Sequence, residues 1–186
     1  MENKIFQIGF NKCGTSSLHY LFQNSGYKSL HYRNGNIARQ IFLNITIGVP
    51  ILNRLDEFDC FTDMEAASLN IYAYKYFEQL YTEYKNGYFI LNTRNKNDWL
   101  KSRSNHKNGR MFHLSKKQFG LSEKQTLSLW SLEWDHHHEK VENFFKGKKN
   151  FLKFDLNNDP IQNLIEFVEP DFKLNKDYWT QINKSK

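Results

Sequence analysis

Apolar and polar positions repeat with two periods along this chain, and each change of period marks an element boundary. Ile5, Phe6 and Ile8 form a short apolar run that stops at Gly9, and Leu18, Leu21 and Phe22 then recur at helical spacing. That pattern predicts a strand, a glycine-bearing turn over residues 9–14, and a helix opened by Thr15-Ser16-Ser17. Residues 27–31, introduced by Gly26, read as a short strand, and residues 34–47 as a helix broken by Pro50. Residues 58–62 read as a strand ending at Asp63-Met64-Glu65. Aromatic residues at helical spacing over 71–84, closed by Gly87, predict a helix. Residues 88–93, Tyr-Phe-Ile-Leu-Asn-Thr, are the clearest buried strand.

Asn97 and Asp98 suit the N-terminal residues of a helix running towards Asn105. Ser122 with Gln125 makes a capping box for a long helix through Phe145. Its stripe Leu127, Trp130, Trp134, His137, Val141 and Phe144 has the three- and four-residue spacing of a core face. Residues 151–154 read as the last strand, and Pro160 opens a helix ending near Pro170. Strands alternating with helices predict an α/β domain of three layers, a mostly parallel central sheet flanked by helices. Ligand residues then belong beyond the carboxyl ends of the strands. No internal repeat or low-complexity linker divides the chain, so residues 1–186 read as a single domain.

Composition narrows the class. With 39% hydrophobic and 25% charged residues the chain is globular, and its net charge of +6 favours an anionic ligand or acceptor. Its lysines and arginines are scattered and no nucleic-acid motif accompanies them, so no nucleic-acid partner is expected; a Lys-rich tail reads as solvated. No apolar run reaches membrane-spanning length, and the N-terminus enters the first strand with no signal peptide. A cytoplasmic protein without a membrane span is expected. Its two cysteines, Cys13 and Cys60, read as separate thiols.

The richest chemistry lies in the first turn. Strand, glycine-bearing loop and helix N-terminus form an anion cradle, where backbone N–H groups and the helix dipole converge. In a Walker A loop, lysine directly follows the second glycine. Here Gly9 and Gly14 keep the Walker spacing, but Thr15 follows the second glycine and Lys12 precedes it by two residues. Lys12-Cys-Gly-Thr-Ser-Ser-Leu18 resembles the 5′-phosphosulfate loop of sulfotransferases that use 3′-phosphoadenosine 5′-phosphosulfate (PAPS), whose pattern is roughly K-x-G-T-[ST]-[ST]-L. A second stretch supports that resemblance. These enzymes bind the 3′-phosphate with an arginine ending a buried strand and a serine eight residues later, and Arg94 and Ser102 match. Guanidinium suits phosphate as a forked, permanently charged donor, and a hydroxyl adds one neutral bond. The family's acidic residue and proline after this arginine are replaced by Asn95 and Lys96. A weaker echo covers residues 151–167, similar to the family's late strand, acidic turn and helix.

The resemblance implies a P-loop sulfotransferase fold with PAPS as co-substrate, adenosine 3′,5′-bisphosphate (PAP) as product, and no metal. Lys12, Cys13, Gly14, Thr15, Ser16 and Ser17 would hold the 5′-phosphosulfate, with Lys12 also catalytic, and Arg94 and Ser102 the 3′-phosphate. Sulfuryl transfer needs a base for the acceptor hydroxyl or amine. Asp63, after the strand preceding the middle helix, is the first candidate, with Glu65 and His31 as alternatives. The acceptor stays open between an anionic compound, a carbohydrate and other classes. A P-loop nucleotide kinase or NTPase is the competing reading, and a PAP-binding module without turnover a third. Gly14 stands where a kinase lysine belongs, which argues against the kinase. In His136-His-His138, consecutive helical residues point apart and cannot share one ion, so His137 reads as a core histidine. Residues 106–113, with Lys107, Gly109 and Arg110 between two histidines, suit either an acceptor-facing or a solvated loop.

Overall fold

The structure, a computed structural model, describes residues 3–180; the end of the Lys-rich tail lies outside them. The strands β1 (Ile5–Gln7), β2 (Ser29–His31), β3 (Cys60–Thr62), β6 (Tyr88–Thr93) and β7 (Phe151–Asp155) form one sheet in the order β2-β3-β1-β6-β7. Every pairing within it is parallel. The short strands β4 (Glu65–Ala66) and β5 (Ile71–Tyr72) pair antiparallel in a separate ribbon.

Alternate strand residues supply two cores, because successive side chains leave a strand on opposite faces. Phe6, Phe61, Phe89 and Leu91 join the larger cluster, with Ile37, Ala38 and Ile41 of α2 (Asn36–Ile47), Phe77 and Leu80 of α3 (Phe77–Glu83), Trp99 of α4 (Lys96–Ser104), and Trp130, Trp134, Val141 and Phe145 of α6 (Glu123–Phe145). Ile5, Cys60, Tyr88 and Ile90 face the other way, against Leu18, Leu21 and Phe22 of α1 (Thr15–Asn24) and Leu164 and Val168 of α7 (Ile161–Val168). A helical layer on each face gives the expected three-layer α/β architecture. Both cysteines are buried and free.

Three local expectations change. Residues 71–84 are not one helix: Ile71–Tyr72 is strand β5, a 3₁₀ turn covers Ala73–Tyr76, and only Phe77–Glu83 is α-helical. The backbone there serves tertiary pairing, with Tyr72 opposite Glu65 and the Ala73 N–H donating to the Met64 carbonyl at 2.8 Å. The aromatic spacing records burial of Tyr74, Phe77 and Leu80, and sheet pairing overrides helical propensity. The core face of α6 starts at fully buried Thr126, while Leu127 is exposed. Helix α4 starts as read, with Asn97 and Asp98 in its first turn, and Asn95 caps it by accepting from their N–H groups. Residues 106–113, expected as a loop, form a turn only as far as Gly109, and Arg110 opens helix α5 (Arg110–Phe119). The capping box on α6 is present as read, with both reciprocal bonds.

Candidate active site

The loop between β1 and α1 is held from beneath by two buried amides. Asn92, in β6, accepts from the Gly9 N–H at 3.0 Å and donates to the carbonyls of Phe10 and Cys13 at 3.2 and 2.9 Å. Gln7 donates to Asn92 Oδ1 and to the Gly9 carbonyl at 2.7 Å, and accepts from the Asp63 N–H at 2.8 Å. These contacts bind the first turn to the ends of β6 and β3. A Cβ at Gly9 would run into the Asn92 oxygens. At Gly14, where φ is +82°, a Cβ would lie 2.7 Å from Leu156 Cδ1. Only glycine accepts both that backbone and that approach.

Gly14 caps α1 without any side-chain bond, and the backbone N–H groups in the first turn of a helix point out of its N-terminus. The Thr15 and Ser17 side chains are buried, and Ser16 is partly exposed. Cys13 is buried and its thiol is pushed up in pKa by burial, so at neutral pH it stays protonated and contributes backbone to the loop.

Two cations flank this turn. Arg94, directly after β6, donates through Nη1 to the Lys12 carbonyl at 3.2 Å, and its buried Nε has no protein partner. Lys12 Nζ lies 3.4 Å from His106 Nδ1. Burial and the nearby Arg94 lower the Lys12 pKa, against the pull of Asp63 and Cys13. Burial and the neighbouring Lys12 likewise hold His106 below the ordinary histidine range, so its Nδ1 accepts from the lysine. Ser102 is buried on α4, on the same face as Trp99 and Arg103.

The acidic side of the site separates its three base candidates. Glu65 is 3% exposed and both its oxygens have protein partners: the Asn11 amide on one, and Arg103 Nη1 at 3.4 Å on the other. Arg103 also donates to Asn11 Oδ1 and lies over the rings of Trp99 and Trp130 at 5.5 and 5.1 Å. The Trp99 indole N–H donates to the Asn11 carbonyl at 3.0 Å. Asp63 has φ +51°, and its buried Oδ1 has no partner within the protein. Burial and Glu65 raise its pKa to about 8, against Arg103, Lys12 and Lys107. His31 Nε2 lies 3.9 Å from Asp63 Oδ2, and its Nδ1 is 2.9 Å from Thr62 Oγ1.

Lys12, Asp63 and Arg94 thus stand beyond the carboxyl ends of β1, β3 and β6, three adjacent strands, and His31 ends β2 beside them. Glu65 is drawn away into the Arg103 network. Asn92, Gln7, Asn11, Arg103 and Thr62 were not singled out in the sequence; only polarity inside the apolar runs 5–8 and 88–93 distinguishes Gln7 and Asn92. The histidine run splits: His136 is exposed, and His137 reaches the Ile8 carbonyl at 2.7 Å and packs against Phe10 as a core residue. His138 stacks on Trp134 and lies 2.9 Å from Thr93 Oγ1. Lys107, Asn108 and Gly109 all have positive φ in the turn before α5, and Lys107 Nζ lies 5.8 Å from the centre of the Tyr32 ring.

A family profile described as "Sulfotransferase domain" matches residues 4–153. Among solved structures, a sulfotransferase from Alicyclobacillus acidocaldarius is similar to this chain with a TM-score of 0.54 and 16% sequence identity. The match covers 100% of this chain and 87% of that one, and at this identity the likeness speaks for the fold. No curated protein matches in sequence. Among the described residues, no helix is long and apolar enough to cross a membrane.

Proposed function

We propose that this chain, which belongs to the sulfotransferase domain family, moves a sulfuryl group from PAPS to a hydroxyl or amine and releases PAP, with residues 1–186 acting as one domain. One observation carries the reading: an α-helix N-terminus with no side-chain cap lies behind left-handed Gly14, with Lys12 and Arg94 beside it and Asp63 at the end of the next strand. The residues fit the group. First-turn N–H groups suit a 5′ anion, and the buried Arg94 Nε lacks a protein partner where a phosphate oxygen would supply one.

PAPS supplies the activated sulfuryl group; this chain's residues do the rest. Lys12 and the N–H groups of residues 13–17 offset charge on the transferring group and the leaving phosphate. Arg94, with Ser102, holds the 3′-phosphate and fixes the donor in line with the acceptor. Asp63 takes the acceptor proton, and its partnerless Oδ1 leaves it an oxygen for the task. The cationic surroundings of Lys12, Arg94 and Lys107 suit an acceptor that is anionic or a carbohydrate.

PAP stabilises the fold in a thermal-shift measurement without metal. At about a hundred times its dissociation constant it adds roughly 2.7 kcal/mol. A shift with ATP and Mg²⁺ but none with PAP would return the reading to a nucleotide kinase. PAP binding without transfer to any acceptor in a labelled-PAPS screen would mean a binding module.

Arg94 serves two contacts, so its removal has a graded effect. Arg94→Ala weakens PAP by about 1.5–3 kcal/mol, the loss of a charge-assisted bond. Adenosine 5′-phosphosulfate, which lacks the 3′-phosphate, loses less, because only the Arg94 bond to the Lys12 carbonyl is missed. Equal losses by calorimetry would confine Arg94 to holding the loop.

A further inference from the structure

One hydroxyl stands between the anion loop and the acid at the acceptor side. Ser16 lies in the first turn of α1, and its Oγ is 3.4 Å from His31 Nε2. Asp63 Oδ2 lies 3.9 Å from that same nitrogen. The other ring nitrogen is committed. His31 Nδ1 is 2.9 Å from Thr62 Oγ1, and the Thr62 hydroxyl proton goes to the Leu30 carbonyl at 3.2 Å. A hydroxyl has a single proton, so Thr62 must accept from His31 Nδ1–H, and neutral His31 presents a bare lone pair at Nε2. That lone pair accepts a hydrogen bond from Ser16 or a proton from Asp63.

We propose that Ser16 couples occupancy of the anion loop to the proton held by the His31–Asp63 pair. In the free protein the Ser16 hydroxyl donates to His31 Nε2 and keeps it from Asp63. With an anion in the loop the hydroxyl donates to that anion instead, and Nε2 takes the proton of Asp63. The Oδ2–H bond breaks and the Nε2–H bond forms, so the pair keeps one proton and its net charge. The carboxylate so produced accepts the proton of the acceptor hydroxyl, and the extra proton leaves to solvent after transfer. The nitrogen and oxygen must close by about 1 Å to reach hydrogen-bond distance. Ser16 is a positioning residue in this scheme. The inference rests on the loop being the 5′-phosphosulfate site, and adds to it the timing of the base.

The surroundings place the proton on Asp63 in the free protein. Burial and His19, stacked on His31 at 5.1 Å, lower the His31 pKa to about 4. Asp63 faces Glu65 on β4, Arg103 on α4, Lys107 in the turn after α4, and Lys12 in the loop; burial and Glu65 prevail over the three cations and raise it to about 8. Near neutral pH the pair therefore holds one proton. Losing the Ser16 bond offsets only about half a unit to one unit of the roughly four that favour Asp63, and the charge of the anion bound beside His31 supplies the rest.

The test is a pH titration of the His31 ring C–H signals by NMR, assigned by their loss in His31→Gln, with PAP as the probe. Wild-type His31 titrates at higher pH once PAP is bound. Ser16→Ala raises the midpoint already in the free protein by about half a unit to one unit, the worth of one neutral hydrogen bond. It also reduces the further rise caused by PAP, and Ser16→Thr restores wild-type behaviour. The negative charge of PAP raises His31 in every variant, so the difference between variants is the readout. An unchanged free-protein midpoint with equal PAP-induced rises in wild type and Ser16→Ala overturns the coupling. Absence of PAP binding overturns the donor-site reading instead, and the free-protein midpoint still decides whether Ser16 holds His31.

Discussion

Asp63→Asn lowers turnover roughly 10²–10⁴-fold while PAP affinity stays near the wild-type value. The amide keeps the shape of the carboxylic acid and the backbone bond to Gln7, but it cannot accept the proton of an acceptor. The check is a steady-state assay with labelled PAPS and an acceptor found by screening, alongside PAP calorimetry on both proteins. Near-full transfer by Asp63→Asn, with loss in His31→Ala, would move the base to His31 and leave the donor site as proposed. A second readout needs no acceptor. The native pKa of Asp63 is raised to about 8 from an ordinary 3.8, so folding favours its protonated form. That contribution is fully present below about pH 4 and is lost as pH rises through 8. Between pH 5 and 9 the Asn variant therefore gains stability relative to wild type in denaturant melts. A constant difference would mean that Asp63 ionises normally.

Glu65→Ala has the largest expected effect on stability, about 3–5 kcal/mol, because it leaves the Arg103 guanidinium buried without its carboxylate. Arg103 is 3% exposed, Glu65 is the carboxylate it pairs with, and its other side-chain contacts include Asn11 and the faces of Trp99 and Trp130. Urea melts of Glu65→Ala measure the loss. The double variant Glu65→Leu with Arg103→Met recovers much of it, since no charge is then stranded. If Glu65→Ala instead stayed as stable as wild type and lost transfer alone, Glu65 would be a base and not a structural partner.

The turn between β1 and α1 was legible because everything that shapes it is contiguous. Left-handed Gly14, the helix it opens and the Lys12 placement depend on residues 9–18, and backbone conformation at glycine is a local property. The same holds for the capping box of Ser122 and Gln125 and for strand β6, whose six residues are all buried. Residues 71–84 were misread for the opposite reason. Their helical spacing is real, but pairing with Glu65–Ala66, set by a distant stretch of chain, claims the first two residues.

The chain's own pattern was thus sufficient for the α/β alternation, the three layers, the glycine turn that opens α1 and the positions of Arg94 and Asp63 at strand ends. The tertiary structure alone decided which carboxylates are available. Glu65 and Asp63 are two residues apart, yet one meets Arg103 from α4 and the other meets His31 from β2. It also decided that Gln7, Asn92 and Asp63 share one hydrogen-bonded junction, across separations of 85 and 56 residues. Parallel strands make such junctions by long crossovers, so register and strand order, which local pattern does not encode, determine which side chains meet.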